Sequence, residues 1–123
     1  MASLNDRVFD SGLSILSTEA NRVDITSQEA ASFAEATSTY TLGNTTSITI
    51  ASPTDRTGGG RKVTMSAISN ANVTGSGTAT HYSISDTTNS RLLATGALTA
   101  SQSVATGNTF SLQALDIGIP DPS

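Results

Sequence analysis

From residue 22 onward, apolar and polar side chains alternate with a period of two. Val23 and Ile25 alternate with Asp24 and Thr26. Thr46, Ile48 and Ile50 alternate with Ser47 and Thr49, and Val63, Met65 and Ala67 with Lys62, Thr64 and Ser66. Thr80, Tyr82 and Ile84 alternate with Ala79, His81 and Ser83. A strand turns successive side chains to opposite faces, so each run reads as a half-buried strand. Asp86 to Ser90 reads as a polar turn, and Arg91-Leu92-Leu93-Ala94 resumes an extended run, making a hairpin. Thr109 to Ile119 is the last run. Phe110 and Leu112 share one phase and Leu115, Ile117 and Ile119 the other, so a β-bulge is expected near Gln113-Ala114, with Pro120 and Pro122 stopping the strand. Gly43-Asn44, Thr74 to Gly77, Thr95-Gly96 and Thr106 to Asn108 punctuate these runs as turns. The expected fold is mainly β, an antiparallel, Greek-key-like β-sandwich.

Ahead of the strands the period is helical. Leu4, Val8, Phe9, Leu13 and Leu16 recur at helix spacing, with Ser3 as N-cap and Asp6 three residues on. A helix is expected over about residues 4–17. Residues 1–20 then form an N-terminal helix or arm, and 21–123 the β-sandwich, within one domain. Either the helix covers the core, or Leu4, Val8 and Phe9 dock on a neighbouring subunit as an assembly arm. Residues 28–38 read as a loop containing a turn of helix.

Composition supports a surface-rich β domain. About a third of the 123 residues are Ser or Thr, aromatic residues are 4%, and charged residues 13%. Thr is β-branched and suits a pleated surface. With so few large side chains the core is thin, and contacts between subunits would add stability. The absence of cysteine excludes disulfides and thiolate metal sites. A net charge of −4 argues against a broad basic face for nucleic acid. No stretch reaches transmembrane length, and the first residues lack the basic region of a secretion signal, so synthesis and folding in the cytosol are expected.

The residues offer no catalytic arrangement. His81 is the one histidine, it lies mid-strand on the phase opposite Tyr82 and Ile84, and no Gly-x-Ser-x-Gly elbow marks a serine. It is expected at a solvent or interface position. Asp10, Glu19, Asp116 and Asp121 lack ligand-loop spacing, so neither a metal nor another cofactor is expected. The most distinctive segment is Pro53 to Lys62, with Gly58-Gly59-Gly60 and half of the six Lys and Arg. Lys62 leads into a strand and not a helix, which excludes a P-loop. Arg56, Arg61 and Lys62 are therefore candidates for contact with an acidic partner surface, on what is otherwise a hairpin loop.

Ala79-Thr80-His81-Tyr82-Ser83-Ile84-Ser85-Asp86, then Arg91-Leu92-Leu93-Ala94-Thr95-Gly96-Ala97-Leu98, then Gln102-Ser103-Val104-Ala105-Thr106-Gly107-Asn108-Thr109-Phe110, resemble a pattern in small virion proteins of tailed bacteriophages. The N-terminal part, from Leu4-Asn5-Asp6-Arg7-Val8 through Glu35-Ala36-Thr37-Ser38-Thr39-Tyr40, resembles short phage proteins as well, so the resemblance covers most of the chain. The resemblance implies a non-enzymatic virion protein made in the bacterial host cytoplasm and assembled in many copies, with other virion proteins as partners. Two roles fit it. One is a capsid decoration or cement protein on the major capsid lattice. The other is a tail-associated fibre, baseplate or adhesion module that contacts another tail protein or the host surface. The family offers no active-site residues to carry over.

Overall fold

The computed structural model describes the backbone of residues 6–119 and side chains from Gly12 onward. The class expected from the sequence is the one adopted: mainly β, antiparallel and sandwich-like, with an N-terminal α-helix. The described residues divide into two compact units, one holding residues up to 19, 49–67 and 113 onward, the other 20–48 and 68–112.

The smaller unit contains helix α1 (Asp6–Glu19) and three strands, β3 (Thr54–Asp55), β4 (Arg61–Met65) and β9 (Leu115–Ile119), in the order β3-β4-β9. Alternation along β4 turns Val63 and Met65 to one face, both fully buried, and Lys62 and Thr64 to the other. α1 packs against β4 and buries Leu13 and Leu16, one turn apart, while Ile15 is left exposed. The helix thus serves as a core cover here. Ser3 and Leu4 lie outside the described residues, as do the side chains of Val8 and Phe9 and the closing Pro120 and Pro122.

The larger unit is a six-stranded sheet. Its strands are β1 (Arg22–Thr26), β2 (Thr41–Thr45), β5 (Ile68–Val73), β6 (Gly77–Asp86), β7 (Arg91–Val104) and β8 (Thr109–Leu112), in the order β7-β6-β1-β2-β5-β8. Every pairing is antiparallel. Val23 opposes Ile84 and Ile25 opposes Tyr82, which places the core of this unit on that face. The opposite face carries Asp24, Thr26, Ser83 and Ser85, all with no exposure. Residues 27–40 close into a loop whose base is tied by the Ser27 N–H donating to the Tyr40 carbonyl. The helical turn expected in it is present as a single π-helical turn, Glu35–Thr39, closed by Tyr40 N–H on the Glu35 carbonyl at 2.9 Å.

Four expectations need correction. Thr46 to Ile50 is not a strand: the chain pairs through β2 just before it, and only Ile50 makes an isolated bridge, to Met65. Gly43-Asn44 is not a turn but lies inside β2, where a Cβ on Gly43 would meet the Asn72 carbonyl at 2.8 Å and the Phe110 ring at 2.9 Å. Thr95-Gly96 lies inside β7, and the Tyr82 ring fills the space over Gly96. At both positions glycine provides close approach and not turning. The phase change at Gln113-Ala114 is no bulge: β8 and β9 belong to different sheets, so the facing of the side chains is set independently on each side of the break. The turns at Asp86 to Ser90 and around Gly107, whose φ is +91°, are where the punctuation places them.

Candidate functional site

Within the smaller unit, the face of the sheet turned away from Val63 and Met65 is polar. β4 and β9 are in register, with Lys62 opposite Gly118 and Thr64 opposite Asp116. Cross-strand neighbours share a face. The Asp116 carboxylate therefore accepts from Lys62 Nζ (3.0 Å) and from Thr64 Oγ1 (2.6 Å). Together with Arg56 and Thr57 of the Gly-rich loop, Lys62, Asp116 and Gly118 line an open groove of about 390 Å³.

The loop itself explains where Arg56 sits. Gly58, Gly59 and Gly60 have φ of +90°, +103° and +92°, values that β-carbons disfavour. The chain can therefore double back, with Arg56 N–H donating to the Gly60 carbonyl and Gly59 N–H to the Arg56 carbonyl. The Arg56 guanidinium then reaches the Gly59 carbonyl from Nη1 (3.0 Å). Its aliphatic stem lies over Gly118, where an added Cβ would come within 3.0 Å of Cδ.

The three cations read from the sequence are thus not one cluster. Arg56 and Lys62 meet in the groove. Arg61 is on the other strand phase and pairs with Asp55 (2.7 Å) and the Pro53 carbonyl (3.2 Å). Gly118 and Asp116, the latter singled out by the sequence only as a carboxylate without ligand spacing, complete the groove. The alternation of Leu115 to Ile119 groups them on one face, but nothing in the sequence names β4 as their partner. The groove therefore holds two cations, Arg56 and Lys62, and one carboxylate, Asp116.

His81 is half-buried in the larger unit, opposite Thr26 on one side and Ala97 on the other, with Nδ1 at 2.8 Å from Thr80 Oγ1. Among the described residues no three His, Cys, Asp or Glu side chains gather as a metal site, and no helix is long and apolar enough to cross a membrane.

Two carboxylates are held below their ordinary range. For Asp86 the main cause is the Asn89 side-chain amide (2.8 Å), followed by backbone N–H groups of Asn89 and Thr88 and the charge of Arg91. For Asp116 it is the Thr64 hydroxyl and then Lys62. A carboxylate depressed in the folded state stabilises the fold above its unfolded value of about 4, and that contribution is lost as pH falls through the folded value. The melting temperature should therefore decline below about pH 4. In an Asp86→Asn, Asp116→Asn variant, followed by circular dichroism against pH, the acid decline should be shallower; an unchanged slope would assign it to other carboxylates.

No protein-family model, curated protein or solved structure matches this chain.

Proposed function

We propose that this chain is a non-catalytic bacteriophage virion protein, a capsid decoration protein that binds the major capsid lattice and stabilises the head. The observation that carries the reading is how its phage-like segments are used. Ala79 to Asp86 lie in β6, Arg91 to Leu98 lie in β7, and Gln102 to Phe110 run from the end of β7 through the Gly107 turn into β8. Their distinctive residues hold positions in the fold. Asp86 ties the β6–β7 turn, Gly96 makes room for Tyr82, and Gly107 supplies a positive φ. Such a motif maintains a scaffold, and function then lies on surfaces. The Arg56–Lys62 groove is the surface proposed to meet the capsid.

Quantitative mass spectrometry of separated heads and tails tests the proposal. Hundreds of copies per particle, recovered with heads, are expected. Recovery with tails alone, at a dozen copies or fewer, would overturn it in favour of a fibre, baseplate or adhesion module. Heads lacking the protein should also rupture at lower temperature than complete ones.

A further inference from the structure

The two sheets treat their edges differently. In the three-stranded sheet the edge strands β3 and β9 each carry a carboxylate, Asp55 and Asp116. Charges on an edge deter pairing with another chain. In the six-stranded sheet the edges are β7 and β8, and from Leu92 to Leu115 the chain has no Asp, Glu, Lys or Arg. There is no proline in that run either. β7 is the longest strand, with 14 residues. Among the described residues it pairs with β6 alone, and no backbone hydrogen bond leaves its outer edge.

The two unguarded edges are not equivalent. β8 spans four residues, and the Ser111 carbonyl accepts from Gln102 Nε2 at 3.2 Å. The same contact occupies the C-terminal end of β7. Irregularities limit β7 further. Leu98 to Ser101 stand against Thr80 alone, and a second register shift falls at Leu93. Ala94 to Ala97 remain regular, opposite Ile84 to His81. Glu29 reaches this stretch, accepting from Thr95 Oγ1 at 3.3 Å, but strand alternation places that contact on the sheet face and leaves the edge clear.

We propose that two copies of this chain pair through Ala94 to Ala97 of β7, antiparallel across a twofold axis. Strand addition satisfies the free backbone groups of an edge. A second copy brings no like charge to the contact, because the whole segment is uncharged. A twofold contact is self-complementary, and the irregularities on either side end it after a few residues, so it closes as a dimer and does not extend as a fibre. The dimer is a property of the chain in solution. It stands or falls independently of where the protein resides in a particle.

Sedimentation equilibrium of the full chain should give twice the 12.5 kDa chain mass. Ala97 is exposed, and Ala97→Lys would set two ammonium groups near the axis. That variant should weaken association at least tenfold, whereas Thr109→Lys on the β8 edge should leave the dimer intact. Amide exchange of residues 94–97 in the unaltered protein should slow as concentration rises, a readout that does not depend on the variant folding. A single 12.5 kDa species up to about 1 mM would overturn the proposal. So would a dimer that Thr109→Lys dissociates and Ala97→Lys does not.

Discussion

Asp24→Ala is expected to lower folding stability by about 3 kcal/mol, measured as a reduced urea midpoint. Asp24 is fully buried. It accepts from Arg22 Nε (2.8 Å) and Nη2 (2.9 Å) and from Thr41 Oγ1 (2.6 Å). Arg22 Nη2 also donates to the Thr37 carbonyl, so the same guanidinium ties the π-helical turn to β1. Removing the carboxylate leaves the Arg22 cation without its counter-charge and leaves the Thr41 hydroxyl with only the longer contact to the Gly43 carbonyl (3.3 Å), and that penalty exceeds the intrinsic worth of the pair. The Arg22 side chain keeps 22% exposure, which puts the cost at the lower end for a broken buried pair. Thr26, Ser83 and Ser85 lie buried on the same face, and their oxygens find no partner among the described residues. Tyrosine fluorescence can follow the transition because the chain has no tryptophan. The companion variant Arg22→Met with Asp24→Leu should recover most of the loss, because apolar side chains of similar volume replace both charges. Equal midpoints for Asp24→Ala and the unaltered protein would mean that loop 27–40 is held by its own closure and not by this pair.

The Arg22–Asp24 pair shows which information was on the surface of the sequence. Period-two alternation locates β1, β4 and β6 because each has one apolar phase, and the polar turn at Asp86 to Ser90 marks the start of β7. The alternation places Asp24 on the polar phase of β1, the phase that a half-buried strand turns to solvent. Only the return of residues 27–40 over that face buries it, through contacts that local periodicity does not encode. β5 escaped notice for a local reason. Asn70 has φ of +57° and the register shifts between Ile68 and Ala71, so its buried residues do not keep a simple alternation. The groove was half legible. Clustered cations and glycines marked the loop, and alternation separates Arg61 from Lys62. The pairing of β4 with β9 unites residues 54 positions apart, as the Lys62–Asp116 contact shows. That is a fact of topology that no window of sequence contains.

Gly43→Val is expected to cost about 3 kcal/mol, and Gly43→Ala about 2 kcal/mol, as overpacking in a tight core. Gly43 is buried at the centre of the six-stranded sheet, and its φ is not what demands glycine. The demand is spatial. An added Cβ meets the Asn72 carbonyl at 2.8 Å and Phe110 Cε1 and Cδ1 at 2.9 and 3.0 Å. The ring cannot swing away freely, because Phe110 is only 3% exposed. The carbonyl belongs to β5, whose ladder to β2 has two registered pairs, Gly43 with Val73 and Asn44 with Asn72. Relief on that side would separate β2 from β5, and with them the four strands β7-β6-β1-β2 from the pair β5-β8. These two obstacles make separable predictions. Phe110→Leu alone should destabilise by leaving a void. Combined with Gly43→Ala, it should cost less than the sum of the single changes, because the smaller side chain vacates the space that the new methyl needs. Recovery should be partial, since the Asn72 carbonyl is still in the way. Full additivity in urea unfolding would mean that the backbone contact alone makes glycine necessary at this position, and that the ring over it is incidental.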